Sequence, residues 1–193
     1  MQEKLIFATR NVNKVKEIGA LLNHMELLSL QEVGITDDIP EEEPTLEGNA
    51  IFKAKFVFEK IDNNAFADDT GLEVEALNGL PGVHSARYAG EEKNDKANID
   101  KLLKELSRHE NRNARFKTVI ALYYQNHLRT FEGICEGEIA LEPIGDKGFG
   151  YDSIFIPRGY KKTFAQLEFV EKNRISHRAI AVKKMVEFLK TVY

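Results

Sequence analysis

Five short stretches of the chain carry side chains that can do chemistry, and charge is prominent in most of them. Asp68-Asp69-Thr70-Gly71 places two carboxylates directly after an apolar run. Carboxylate oxygens suit Mg²⁺, which keeps several waters and takes its other ligands from phosphates. One carboxylate of such a pair can also orient or deprotonate an attacking water. Glu41-Glu42-Glu43 precedes a helix signal, where acidic side chains are favoured in any case. As a metal site it needs a partner, and Asp68-Asp69 can supply one. Thr9-Arg10-Asn11-Val12-Asn13-Lys14 joins a strand to a helix. Its hydroxyl, its amides, the helix N–H groups and a lysine form a phosphate cradle or an ordinary capped start.

The other two stretches suit a flat ligand. Gly148-Phe149-Gly150-Tyr151-Asp152 lets backbone approach closely, offers Phe149 for stacking and Asp152 for hydrogen bonding to a base edge. Its plain alternative is a turn with a core phenylalanine. Glu171 to Arg178 carries Lys172, His177 and Arg178 at the expected start of the last helix, with Ser176 as its cap. Cations there meet anionic or carbonyl oxygens, or simply face water.

The elements that must position these residues alternate along the chain. Leu5-Ile6-Phe7-Ala8 is expected as a buried strand. Val15, Ile18, Leu21, Leu22 and Met25 have helical spacing, and Leu27 to Leu30 is a second strand. Thr45 caps a helix to about Ile61 with Leu46, Ala50, Ala54 and Val57 on one face. Ala65-Phe66-Ala67 is a short strand ending at Asp68-Asp69, and Gly79, Pro81 and Gly82 mark a turn. Ile99, Leu102, Leu103 and Leu106 are helical, Phe116 to Tyr124 alternates as a strand, and Leu128 to Ile139 makes one or two more. Ile154-Phe155-Ile156 is a strand, and a helix from about His177 closes the chain. The class is α/β.

Composition narrows the options. A chain of 193 residues with 42% hydrophobic residues fits a single domain, residues 1–193, of one or two lobes. A net charge of −4 argues against a broad basic nucleic-acid surface. The one cysteine, Cys135, excludes an intrachain disulfide or a thiolate zinc cluster. The apolar run at Leu5–Ala8 is too short for a signal core or a membrane span, so a cytoplasmic location is expected. Walker-type phosphate loops, H-E-x-x-H, G-x-S-x-G and G-x-G-x-x-G are all absent from the sequence.

Taken in order, these segments make the chain similar to the inosine triphosphate pyrophosphatase family. The match runs through LIFATRNVNK (5–14), TLEGNAIFKAK (45–55), FADDTGLEVEALNGLPGVHSARYAG (66–90), GFGYDSIFIPRGYKKTFAQL (148–167) and EKNRISHRAIAV (171–182). The resemblance implies an elongated mixed β-sheet flanked by helices, two lobes with a central active-site cleft, and a homodimer. It implies Mg²⁺-dependent hydrolysis of ITP, dITP and XTP to the monophosphate and pyrophosphate, with no nucleic-acid or membrane partner. It assigns Thr9, Arg10, Asn11, Val12, Asn13, Lys14 and Lys53 to phosphates, and Glu41 and Asp69 to the metal, with Asp68 assisting. Asp69 is the implied proton acceptor. Thr70 touches the nucleotide, and Phe149, Gly150, Tyr151, Asp152, Lys172, His177 and Arg178 form the base and phosphate pocket. Donors such as Arg178 or backbone N–H groups would select a purine C6 carbonyl over the amine of adenine.

The chain departs from the family pattern at Arg10, Thr70, Ser153, Gln166 and Glu43. The last leaves Glu41, Glu42 and Glu43 as alternatives for the metal. A nucleotide sensor without turnover, a phosphatase releasing orthophosphate, and an interaction protein are the competing classes.

Overall fold

The computed structural model describes residues 4–22 and 25–192. Its elements are β1 (Lys4–Phe7), α1 (Val12–Gly19), β2 (Glu26–Ser29), α2 (Leu46–Ile61), β3 (Ala65–Val74), β4 (Pro81–Gly82), α3 (Asp95–Leu106), β5 (Asn113–Tyr124), β6 (His127–Ile139), β7 (Phe155–Pro157), α4 (Phe169–Ile175) and α5 (His177–Val192). One sheet runs in the order β2-β1-β3-β5-β6-β7, with β4 pairing β3 off that path. It is mixed: β1 is parallel to β2 and β3, while β3–β4 and β6–β7 are antiparallel. Parallel neighbours need crossovers, and α1 and α2 supply them. β5 and β6 turn on Gln125 and Asn126, both at left-handed φ (47° and 65°), as a two-residue hairpin of primed type requires.

By contacts the chain divides into two compact units. The first holds Met1–Asp69, Thr118–Gly133 and Arg178–Tyr193, and the second Thr70–Lys117 and Ile134–His177. Each has its own core. In the first, Leu5 and Phe7 of β1, Phe66 of β3 and Ile120, Leu122 and Tyr124 of β5 pack with Ile18 and Leu22, and with Ala181, Val182, Met185 and Leu189 of α5. These strand positions alternate, so they share one sheet face. Phe7 and Phe66 stack at 4.5 Å with rings 2° from parallel. On the other face, Phe58 of α2 stacks with Tyr123 at 5.2 Å. In the second unit, Leu72, Val74, Ile99, Leu102, Leu106, Phe116, Phe155 and Phe164 form the core.

Most expected elements are present, and three differ. β3 does not stop at Ala67: it continues through Asp68 and Asp69 to Val74, all buried or half-buried. α1 ends at Gly19, a residue about 1 kcal/mol worse than alanine in a helix interior, so Leu21, Leu22 and Met25 lie beyond it. The segment expected to open the last helix is divided. Lys172 belongs to α4, Ser176 adopts extended backbone (ψ 151°), and α5 starts at His177. Leu128–Ile139 forms a single strand within β6. Among the described residues no helix is long and apolar enough to cross a membrane.

Phe66→Ala should remove a fully buried ring from the first core. Chemical denaturation is expected to show a loss of about 3–5 kcal/mol.

Candidate metal and phosphate centre

Strand alternation decides what Asp68 and Asp69 can do. Neighbours on a strand face opposite sides of the sheet. Asp68 shares the face of Phe66, the side of α1 and α5; Asp69 shares the face of Ala67, the side of α2. The two carboxylates therefore do not point into one space as a pair, as their adjacency suggested. Each meets a different set of cations.

Asp68, fully buried, receives Lys14 Nζ on Oδ1 at 2.9 Å and Arg178 Nε on Oδ2 at 3.3 Å. Arg178 also donates Nη1 to Glu17 Oε2. Burial by itself would raise the Asp68 carboxyl, but Lys14, then Arg178 and Lys53, hold it well below the usual carboxylate range. Burial and the neighbouring cations lower Lys14 despite Asp68. Arg178 is held charged against its burial by Asp68 and Glu17.

On the opposite face, α2 presents its buried stripe of Leu46, Asn49, Ala50, Lys53, Ala54 and Val57. Thr45 starts this helix, its Oγ1 accepting the Gly48 N–H at 3.0 Å. Lys53 Nζ donates to Glu41 Oε1 at 2.8 Å, to the Asp68 carbonyl at 2.8 Å and to Asp69 Oδ1 at 2.9 Å. All three ammonium hydrogens are thereby used. One ammonium thus holds both carboxylates, so their oxygens are closer together than the sum of those two contacts. Burial would lower Lys53, but Asp69, Glu41 and Asp68 raise it above its ordinary value. Asp69 is raised: burial dominates, Glu41 adds repulsion, and Lys53 and Lys14 only partly offset them.

Among the three loop glutamates, Glu41 is half-buried on Lys53, whereas Glu42 and Glu43 are exposed. Glu41 is therefore the one that joins Asp69. Among these seven described residues, four carboxylates (Glu17, Glu41, Asp68, Asp69) face three cations (Lys14, Lys53, Arg178), one formal negative charge in excess.

At the start of α1, Asn11 Oδ1 accepts the Asn13 and Lys14 N–H groups at 3.0 and 3.2 Å, and Thr9 Oγ1 accepts the Asn11 N–H at 3.2 Å. Three N–H groups of the cradle are thus already spent within it. Val12 is 75% exposed there. Arg10 reaches away from the cradle and donates to the Thr36 and Asp37 carbonyls.

In the second unit, the 148–152 turn is held from four sides. Asp152 Oδ2 accepts the Phe149 N–H at 2.9 Å and Lys172 Nζ at 2.5 Å; Gly150 N–H donates to Asp95 Oδ2 at 2.8 Å; Tyr151 O–H donates to the Ser85 carbonyl at 2.8 Å. A Cβ on Gly148 would lie 2.0 Å from Asp152 Oδ2, and φ there is +77°, so only glycine fits. Asp152 thus shapes the turn and holds Lys172, both through Oδ2. Lys172 Nζ also stands 5.2 Å from the Phe149 ring centroid. His177 stacks on Phe116 at 4.5 Å, 20° from parallel.

Glu17 and Asn49 were not foreseen. Asn49 does carry a signal, since it falls with Lys53 on the apolar stripe of α2, where a polar residue must find partners. Glu17, next to Ile18 on α1, gives no comparable cue before Arg178 arrives from 161 residues away.

The site is thus a set of buried carboxylates paired with lysines and an arginine beside a helix start, on a mixed α/β sheet. The chain belongs to the Ham1 family, whose model matches residues 5–188. It is 54% identical over 187 residues to a dITP/XTP pyrophosphatase of Christiangramia forsetii, covering 96% of this chain and 98% of that protein. A second dITP/XTP pyrophosphatase, from Flavobacterium psychrophilum, is 53% identical over 97% of this chain and 99% of its own. The solved structure of the Staphylococcus aureus Ham1 protein superposes with a TM-score of 0.91 at 38% identity, covering 99% of this chain and all of that one.

Asp68→Asn should leave Lys14 and Arg178 short of counter-charge at a cost of about 3–5 kcal/mol at neutral pH. The folded pKa of Asp68 lies below its unfolded value of about 3.9. Its contribution is therefore complete above that value and drains away as pH falls through the folded pKa. Urea denaturation from pH 7 downward should show a constant gap between wild type and Asp68→Asn until about pH 4, narrowing only below it.

Proposed function

We propose that the protein hydrolyses non-canonical purine nucleoside triphosphates of the ITP, dITP and XTP class to the monophosphate and pyrophosphate. It would act in the cytoplasm as a homodimer, clearing these nucleotides before they enter DNA or RNA. The observation that carries this reading is the shared seat of Glu41 and Asp69 on Lys53 within a cluster of net negative charge. A triphosphate brings several more negative charges and needs further cations to settle there. Two carboxylates fit Mg²⁺, which binds through one or two of them and completes its shell with water and substrate phosphates. Glu41 and Asp69 would hold it, and when bound it supplies neutralisation of phosphate charge.

The rest of the mechanism follows from the chain's own groups. Lys14 and Lys53 offset charge on the departing pyrophosphate, while the Thr9–Lys14 segment seats phosphate oxygens. Water attacks the α-phosphorus and Asp69 takes its proton; burial has made this carboxylate more basic than usual. Phosphoryl chemistry needs little covalent help, so position and charge do most of the catalysis. Thr70 contacts the nucleotide. Phe149 stacks on the base in the turn that Gly150, Tyr151 and Asp152 shape, with Lys172 and His177 toward its edge.

Hypoxanthine and xanthine carry an acceptor at C6, whereas adenine carries a donor. Opposing donors leave a buried polar group unpaired, at about 1–3 kcal/mol each, and a site with several such bonds discriminates more strongly. Arg178 is engaged by Glu17 and Asp68. Its guanidinium is buried between those two carboxylates, so Lys172 and backbone N–H groups are the readier donors for a base carbonyl.

With Mg²⁺, ITP and XTP should yield monophosphate and pyrophosphate, with ATP turned over far more slowly; product chromatography checks this. Orthophosphate and diphosphate would indicate a phosphatase, and binding without product a sensor. Asp69→Asn should lower kcat by several orders of magnitude, and near-normal turnover would remove Asp69 as the proton acceptor.

A further inference from the structure

A buried side-chain amide is costly unless both its ends are satisfied. Asn49 is 1% exposed and lies one helical turn before Lys53 on α2. Its two ends go to two different acidic segments. Oδ1 accepts the Glu43 backbone N–H at 3.0 Å, and Nδ2 donates to Asp69 Oδ2 at 3.3 Å. The other Asp69 oxygen is on Lys53. Two residues one turn apart thus grip both oxygens of one carboxylate and fix its plane. Glu43 lies two residues after Glu41, so pinning its amide sets where the loop delivers Glu41 to the same lysine.

Building the helix does not require this side chain. Thr45 already caps α2, and the Asn49 backbone N–H goes to the Thr45 carbonyl at 3.1 Å. Only an amide offers a donor and an acceptor in this fork; aspartate would lose the donor and set a third carboxylate against Asp69.

The geometry points to Asn49 as a positioning residue that sets the spacing of Glu41 and Asp69 for a divalent cation. The inference rests on the metal role proposed above for those two carboxylates. Removing a partner that orients a metal ligand usually weakens metal binding about 10–100-fold. Asn98 is the natural comparison. It is equally buried, but its amide joins two backbone groups, the Ala89 N–H and the Ala86 carbonyl, and touches no carboxylate of the cluster.

Mn²⁺ should be titrated into wild type, Asn49→Ala, Asn49→Leu and Asn98→Ala, with free Mn²⁺ followed by electron paramagnetic resonance and unfolding followed for each. Both Asn49 variants are expected to lose about tenfold or more in Mn²⁺ affinity. Asn98→Ala should lose stability and keep the affinity. Wild-type affinity in a folded Asn49 variant would overturn the inference. Absence of Mn²⁺ binding by wild type would instead remove the metal role itself and the inference with it. If neither Asn49 variant folds, the wild-type side-chain amide resonances decide. Those of Asn49 should shift on Mg²⁺ addition while those of Asn98 stay, and an unmoved Asn49 overturns the proposal.

Discussion

A buried ammonium must be surrounded by oxygen, and Lys53 meets that demand by drawing Glu41, Asp69 and the Asp68 carbonyl onto one nitrogen. Leaving a charge of this kind uncompensated in the interior costs several kcal/mol. The requirement therefore reaches well beyond the lysine. It holds the acidic loop against α2, fixes the carboxylate of Asp69, and sets two negative side chains on one nitrogen, where an external cation would have to compete with that ammonium.

A second ionic group lies on the other sheet face, where Glu17, Arg178, Asp68 and Lys14 are linked in sequence. The backbone of β3 separates the two groups, yet Asp68 and Asp69 are adjacent in the chain. A shift of β3 at one aspartate must move the other. That coupling gives a physical reason for putting two acidic residues next to each other on a buried strand, despite the cost of desolvating both. The second unit uses the same device on a smaller scale: Asp152 and Lys172 neutralise each other while shaping the turn that presents Phe149.

Much of the architecture was legible in local patterns. Thr45 as cap, the span of α2, the start of α5 at His177 and the alternating strand at Phe116–Tyr124 all follow from periodicity and capping chemistry. Boundaries failed where a polar residue was taken as a stop. Asp68 and Asp69 looked like the end of a strand because buried strands seldom carry charge. The strand continues because lysines and an arginine arrive to neutralise them. The short helix α4, Phe169–Ile175, was hidden, since seven residues ahead of the Ser176 cap carry too little periodicity to announce a helix of their own.

Residue types, their order and the short motifs were sufficient to name the chemical parts: acidic clusters, a helix-start cradle, a glycine-flanked aromatic turn and a basic segment near the end. They also established the class of fold, because alternation of strand and helix signals is a local property. Tertiary structure alone set Glu41, rather than Glu42 or Glu43, on Lys53, sent Asp68 and Asp69 to different partners, and brought Arg178 to Glu17. Each of those outcomes depends on groups brought together from 12 to 161 residues apart. Periodicity and capping act over a few residues, whereas neutralising a buried charge depends on whichever group the completed fold carries to it.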